Sequence, residues 1–203
     1  MDWAALREWT QDHAGLSLTD PQLDQLRAYL DTLLFWNRKL ALISHREAAH
    51  LVERHVADSL FVAGHVADGD ALVDLGSGAG FPGLPIAIAR PAVAVCLMES
   101  RGKKASFLCD AKRQASIGNA RIYEGRIEAA ATDPAHAGRY TVATARALTS
   151  TDQFLTLATP LLSKPGRALA MRSTIEPLPD RDCEVVDYIL PEGTPRRLLA
   201  FGI

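Results

Sequence analysis

Apolar positions along the chain follow two different periods, and the change falls near residue 66. From Asp20 onward, Leu23, Leu26, Leu30, Leu33 and Leu34 recur at three- and four-residue spacing, the stripe of an amphipathic helix. Asp20-Pro21 suits its start, because a capping oxygen is followed by a ring with no N–H to leave unpaired. A second helical stretch is read over residues 47–66, with Leu51, His55, Leu60 and Val62 turned inward. Residues 1–66 therefore read as an N-terminal helical extension.

Beyond that point short apolar runs alternate with helical stretches. Strands are predicted over residues 71–75, 92–98, 120–124, 140–144 and 166–171, and helices over 85–89, 103–115 and 151–162. Such alternation predicts an α/β domain, residues 67–203, with a mostly parallel sheet and helices on both faces. Two last strands, over 182–188 and 197–201, have no helix between them. They suit an antiparallel C-terminal edge.

Composition narrows the setting. At 203 residues the chain has length for one domain and a small extension. No run approaches the ~18 apolar residues of a membrane span, and residues 1–10 lack the basic start and apolar core of a secretory leader. The three cysteines (Cys96, Cys109 and Cys183) are odd in number and form no C-x-x-C pair. They fit a reducing compartment, with Cys96 and Cys109 expected as buried thiols, and the cytoplasm is the expected location. The net charge of −2 hides an asymmetry: residues 1–70 balance at −5 and the remainder at +3. A local basic face on the second part is one reading of this, and an ordinary solvated surface is the other.

The strongest local signal is Asp74-Leu75-Gly76-Ser77-Gly78-Ala79-Gly80-Phe81-Pro82-Gly83, at the end of the first strand. Glycines there let a backbone approach a nucleotide-like ligand. A dinucleotide fingerprint would need a third glycine where Phe81 stands, which disfavours a nicotinamide-dependent oxidoreductase. The D-x-G-x-G-x-G pattern instead resembles the first motif of class I S-adenosylmethionine methyltransferases. Glu99, closing the second strand, stands at the separation expected of an acid that accepts hydrogen bonds from ribose hydroxyls. No spacing of His, Cys, Asp or Glu suggests a metal site.

Several further motifs occur in one order: Trp36-Asn37-Arg38-Lys39, Arg54-His55-Val56-Ala57-Asp58-Ser59-Leu60, Phe81-Pro82-Gly83-Leu84-Pro85, Glu99 with Lys103-Lys104 and Phe107-Leu108, Gly125-Arg126-Ile127-Glu128, and Thr144-Ala145-Arg146-Ala147. Together they resemble the RsmG (GidB) family of bacterial 16S rRNA guanine-N7 methyltransferases over roughly residues 30–172. The resemblance implies a Rossmann-like class I methyltransferase fold, S-adenosylmethionine as cofactor, 16S rRNA or the small ribosomal subunit as partner, and a monomer.

It implies a cofactor site of Gly76, Gly78, Gly80, Phe81, Glu99, Ile127, Glu128 and Arg146, with Ile127 and Glu128 at the adenine. Arg126, Arg146 and Arg172 become candidates for the reaction centre. Arg101, Lys103, Lys104 and Arg197 become candidate RNA contacts, with Lys112 and Arg113 further along the same helix. Phe81 suits either an aromatic shelf for a base or core packing. His55 and Asp58 read first as structural groups. Two positions depart from the family pattern: Ala41-Leu42-Ile43 replaces Asn-Leu-Thr, and Arg172-Ser173 replaces a lysine followed by glycine. Two other functions stay open on the sequence, a non-enzymatic RNA-binding module on this fold and a methyltransferase acting on a small molecule or protein.

The chemistry implied is undemanding of acid–base groups. Guanine N7 carries a free lone pair, so alignment rather than proton removal limits the reaction. The product ring is cationic, so arginines are expected at phosphates, at O6 or at the cofactor carboxylate rather than against N7. A-form RNA hides N7 in its deep groove, which calls for an unstacked target base.

Overall fold

The computed structural model describes residues 2–146 and 148–203. Met1, and Ala147 at the end of the motif over 144–147, lie outside the described residues. Chain order is α1 (Trp3–Ala14), α2 (Asp20–Asn37), α3 (His45–Ala48), α4 (Ala57–Ala63), β1 (Ala71–Leu75), α5 (Gly83–Ala89), β2 (Ala94–Glu99), α6 (Gly102–Gln114), β3 (Ala120–Glu124), α7 (Ile127–Ala130), β4 (Tyr140–Arg146), α8 (Thr151–Ala158), β5 (Leu162–Ser173), β6 (Glu184–Ile189) and β7 (Pro195–Gly202).

Among the described residues one seven-stranded sheet runs in the order β3-β2-β1-β4-β5-β7-β6. The pairs from β3 to β5 are parallel, and β7 lies antiparallel between β5 and β6. The chain thus leaves β1 outward to β3, returns to β4, and ends in the expected antiparallel edge. β1 is buried on both faces, as a central parallel strand must be. Its alternation divides the interior: Leu72 joins a core shared with α1, α2, α4, α5 and α6, while Val73 and Leu75 join one under α8.

α2 ties the extension to the sheet domain. Leu23, Leu26, Tyr29, Leu30 and Leu33 are all at most 6% exposed, each burial contributing about 2 kcal/mol before entropy is counted. Polar groups on the same face reach across. Gln22 Nε2 donates to the carbonyls of Ile88 (2.9 Å) and Ala89 (3.2 Å), and Gln25 Nε2 to that of Ala115 (3.0 Å), at the C-terminal ends of α5 and α6. Those carbonyls have no partner within their own helices, so the bonds meet a real need.

Local details differ from the sequence reading. Thr19, not Asp20, caps α2, through a reciprocal capping box with Gln22. The helix read over 47–66 is broken into α3, a π-helical turn (Leu51–Val56) and α4. No glycine or proline marks that break, so the pattern could not announce it. Cys96 is buried as expected, whereas Cys109 is exposed, because it lies off the stripe of Ala105, Phe107, Leu108 and Ala111 that α6 buries. No helix among the described residues is long and apolar enough to cross a membrane.

Candidate functional site

The parallel strands β1, β2, β3 and β4 end at one edge, and the segments that follow them enclose a cavity of about 450 Å³. Crevices at the C-terminal ends of such strands are where open α/β sheets take ligands. Gly76, Gly78, Glu99, Arg101, Lys104, Arg126, Ile127, Glu128 and Arg146 all line this cavity. The structure therefore gathers most of the sequence candidates at one place.

The first loop is built by its glycines. Gly76 has φ +70° and Gly78 φ +54°, in the left-handed region where a side chain is strained. A Cβ on Gly76 would stand 2.5 Å from Leu148 Cδ1, so the glycine also admits that side chain beside the cavity. Gly80 serves another purpose. Its Cβ would meet Leu84 Cδ1 at 2.8 Å and Tyr29 Oη at 3.1 Å, so the third glycine lets α2 close on the loop. Gly80 is not among the residues that line the cavity. Tyr29 Oη donates to the Ala79 carbonyl at 2.7 Å, pinning the loop from behind.

Glu99 is 7% exposed and holds the loop from the other side. Its Oε2 accepts from Gly78 N at 3.0 Å and its Oε1 from Arg101 N at 2.8 Å. A carboxylate oxygen has lone pairs to spare after one such bond, so the group can accept from a ligand as well. Asp74, deep in β1, is fully buried. Its Oδ2 accepts from Gly83 N at 3.2 Å and its Oδ1 has no partner. Burial pushes the Asp74 carboxyl up to about 7, with the charge of Glu99 adding to the effect.

Other candidates go elsewhere. Phe81 is 7% exposed and packed against Tyr29 (ring centroids 5.4 Å apart) and His55 (5.1 Å). The Arg146 guanidinium stands 5.8 Å from its ring centroid. Arg172 does not line the cavity. Its Nη1 donates to the Thr149 carbonyl at 2.7 Å and stands 3.6 Å from Glu176 Oε2, anchoring the segment between β4 and α8. Arg197 is committed to Asp187 by two bonds of 2.6 and 2.8 Å across the β6–β7 register, which disfavours it as a phosphate contact. Lys103 is exposed on the first turn of α6, outside the cavity.

Arg146 ends β4 and borders a second, smaller cavity of about 190 Å³. Behind it lies Asp58, 0% exposed, which accepts from Tyr188 Oη (2.6 Å) and Arg196 Nη2 (3.0 Å) and stands 3.6 Å from Arg146 Nε. Sequence reading left Asp58 as a structural group and missed Tyr188 and Arg196 altogether. The only local signal was a carboxylate within an apolar helical run, and such a group must find buried partners. His55 is 4% exposed, and burial with the Arg146 charge lowers its pKa to about 3, so its ring is neutral at working pH.

Comparison with known proteins follows the same lines. A family model described as rRNA small subunit methyltransferase G matches residues 22–178. A ribosomal RNA small subunit methyltransferase G of Chloroflexus aggregans is 39% identical over 157 residues, which cover 77% of this chain and 66% of that one. The protein of the same name from Stenotrophomonas maltophilia is 42% identical over 162 residues, covering 80% of this chain and 74% of its own. Among solved structures, M. jannaschii TYW2 in complex with AdoMet superposes with a TM-score of 0.55 at 12% identity, over 73% of this chain and 74% of that one. At that identity the likeness is one of fold.

Proposed function

Because the chain belongs to the rRNA small subunit methyltransferase G (GidB) family, we propose that it transfers a methyl group from S-adenosylmethionine to N7 of a guanine in 16S rRNA of the small subunit. The observation that carries the reading is the cavity at the ends of β1, β2, β3 and β4, whose glycine loop and Glu99 are bound to each other. Its residues fit the cofactor. Gly76 and Gly78 leave the loop without side chains where the methionine part would lie. Glu99 retains acceptor capacity for two ribose hydroxyls, and Ile127 and Glu128, which line the same cavity, would hold the adenine.

S-adenosylmethionine supplies an electrophilic methyl on a sulfonium. Everything else asked of the protein is positional. Glu99 and the loop hold the nucleoside end, and Leu148 and Leu157 give the cavity an apolar wall that excludes water. Arg146, at the reaction end, is held by Asp58 and by the ring of Phe81. Arg101 and Lys104, at the mouth, together with Lys103 outside it, offer charge to RNA phosphates. Arg126, exposed on the cavity rim, serves RNA or the reaction centre. We place the protein in the cytoplasm as a monomer, with residues 1–66 as the helical extension and 67–203 as the cofactor-binding domain.

The test is transfer of labelled methyl from S-adenosylmethionine to small subunits isolated without this modification. The wild-type chain labels the RNA. Gly78→Asp, which sets a carboxylate in the cavity wall beside Glu99, folds but loses transfer. No transfer by the wild type, with cofactor demonstrably bound, directs the search to other acceptors. Loss of both sinks the enzyme reading and leaves an RNA-binding module.

A further inference from the structure

The second cavity shares Arg146 with the first and is lined by α3, the π-helical turn, α4 and the β6–β7 turn. Its charges are balanced: Arg54, Arg146 and Arg196 face Glu47, Asp58 and Glu192. Most of these are mutually satisfied. Asp58 is occupied by Tyr188, Arg196 and Arg146, and Glu192 Oε1 accepts from Thr194 Oγ1 at 2.9 Å and pairs with Arg54 Nε at 3.0 Å. Four buried polar atoms are left without a hydrogen-bond partner: Arg54 Nε, despite its ion pair, Arg146 Nη1, His55 Nε2 and Glu192 Oε2. His55 is 4% exposed, and its Nε2 stands 3.9 Å from the nearest carboxylate oxygen, of Glu47.

Buried polar atoms in a folded chain are expected to be satisfied, and four around one cavity mark a place for a ligand. Their chemistry is mixed. Arg146 can only donate, the Glu192 carboxylate can only accept, and a neutral imidazole can do either. A phosphate would leave Glu192 facing like charge in a cavity with no net positive balance. A neutral, planar group with an acceptor beside donors on one edge meets Arg146 and Glu192 together, with His55 beside it. The geometry points to this cavity as the pocket for the target guanine, Arg146 donating to O6 and Glu192 accepting from the adjacent ring N–H or amino group. This inference rests on the proposed methyl transfer and assigns its acceptor subsite. The charge balance also suits the product, because carboxylates close to the base offset the positive charge that methylation gives it.

The experiment pairs a variant with a resonance. Glu192→Gln keeps size and changes an acceptor oxygen to an amide. It leaves affinity for S-adenosylhomocysteine within about twofold and lowers kcat/KM on unmodified small subunits about tenfold or more. An unchanged rate, or a loss matched by lost cofactor affinity, overturns the assignment. Independently of any variant, the His55 Hε1 resonance of the wild-type chain with S-adenosylhomocysteine bound shifts on addition of guanosine. It does not shift with adenosine or inorganic phosphate. A resonance unmoved by guanosine, or moved equally by phosphate, overturns it as well. If guanosine moves His55 while the chain transfers no methyl to small subunits, the pocket stands and the ribosomal reading falls.

Discussion

Asp58→Ala is the most informative single change for stability. The carboxylate is fully buried and is the shared acceptor of Tyr188, Arg196 and Arg146. It joins α4 to β7 and to the end of β4, elements more than 80 residues apart in sequence. Removing it leaves two guanidinium groups in a poorly solvated site without a counter-charge. Breaking a buried ion pair from one side costs about 3–5 kcal/mol, whereas replacing both partners by apolar groups is often neutral. Against a total stability of about 5–15 kcal/mol that is a large fraction. At about 2–4 °C per kcal/mol for a chain of this size, the melting temperature falls by roughly 6–20 °C. Urea unfolding followed by circular dichroism measures the loss at unchanged slope. Asp58→Ala combined with Arg196→Met recovers part of it, because one stranded charge is removed with its partner. A single variant within about 1 kcal/mol of wild type would refute the view that this cluster holds the C-terminal strands to the helical extension.

Three further outcomes follow from the same geometry. The folded chain keeps a proton on Asp74 up to about pH 7 that an unfolded chain gives up near pH 4. The stability tied to that proton is complete below the usual carboxylate range and is lost as pH rises through about 7, by roughly 1 kcal/mol per unit. Asp74→Asn cannot titrate and removes that decline; equal slopes for variant and wild type in urea melts across the range would sink the argument. Glu99→Gln weakens cofactor binding about tenfold or more, since bonds to a charged acceptor become bonds to a neutral one, and calorimetry showing unchanged affinity would contradict it. Lys103→Ala lowers the log–log salt slope of small-subunit binding by about one, and an unaltered slope removes Lys103 from the RNA face.

Local features were legible in the sequence, and distant ones were not. The strand-and-helix alternation gave the sheet, and the two glycines with Glu99 gave the cavity wall, because each rests on residues near each other in the chain. Gly80 and Phe81 belong to the same motif but answer to α2. Their roles depend on Tyr29, some 50 residues upstream, and the periodicity of α2 shows only that Tyr29 is available for burial. The same limit hid the Asp58 cluster, whose partners lie 130 and 138 positions away. Arg172 was read from the resemblance and Arg197 from its charge. Their neighbours Glu176 and Asp187 decide what that charge does. The π-helical turn carries no composition signal, yet it brings His55 to the second cavity.

The central claim is a methyl placed on one atom of one base. Small subunits lacking the modification are incubated with the chain and S-adenosylmethionine, and their 16S rRNA is digested to nucleosides for mass spectrometry. The account predicts N7-methylguanosine that is absent when either the chain or the cofactor is withheld. A digest without it while the cofactor is bound, or a methyl found on a different atom or nucleoside, contradicts the account.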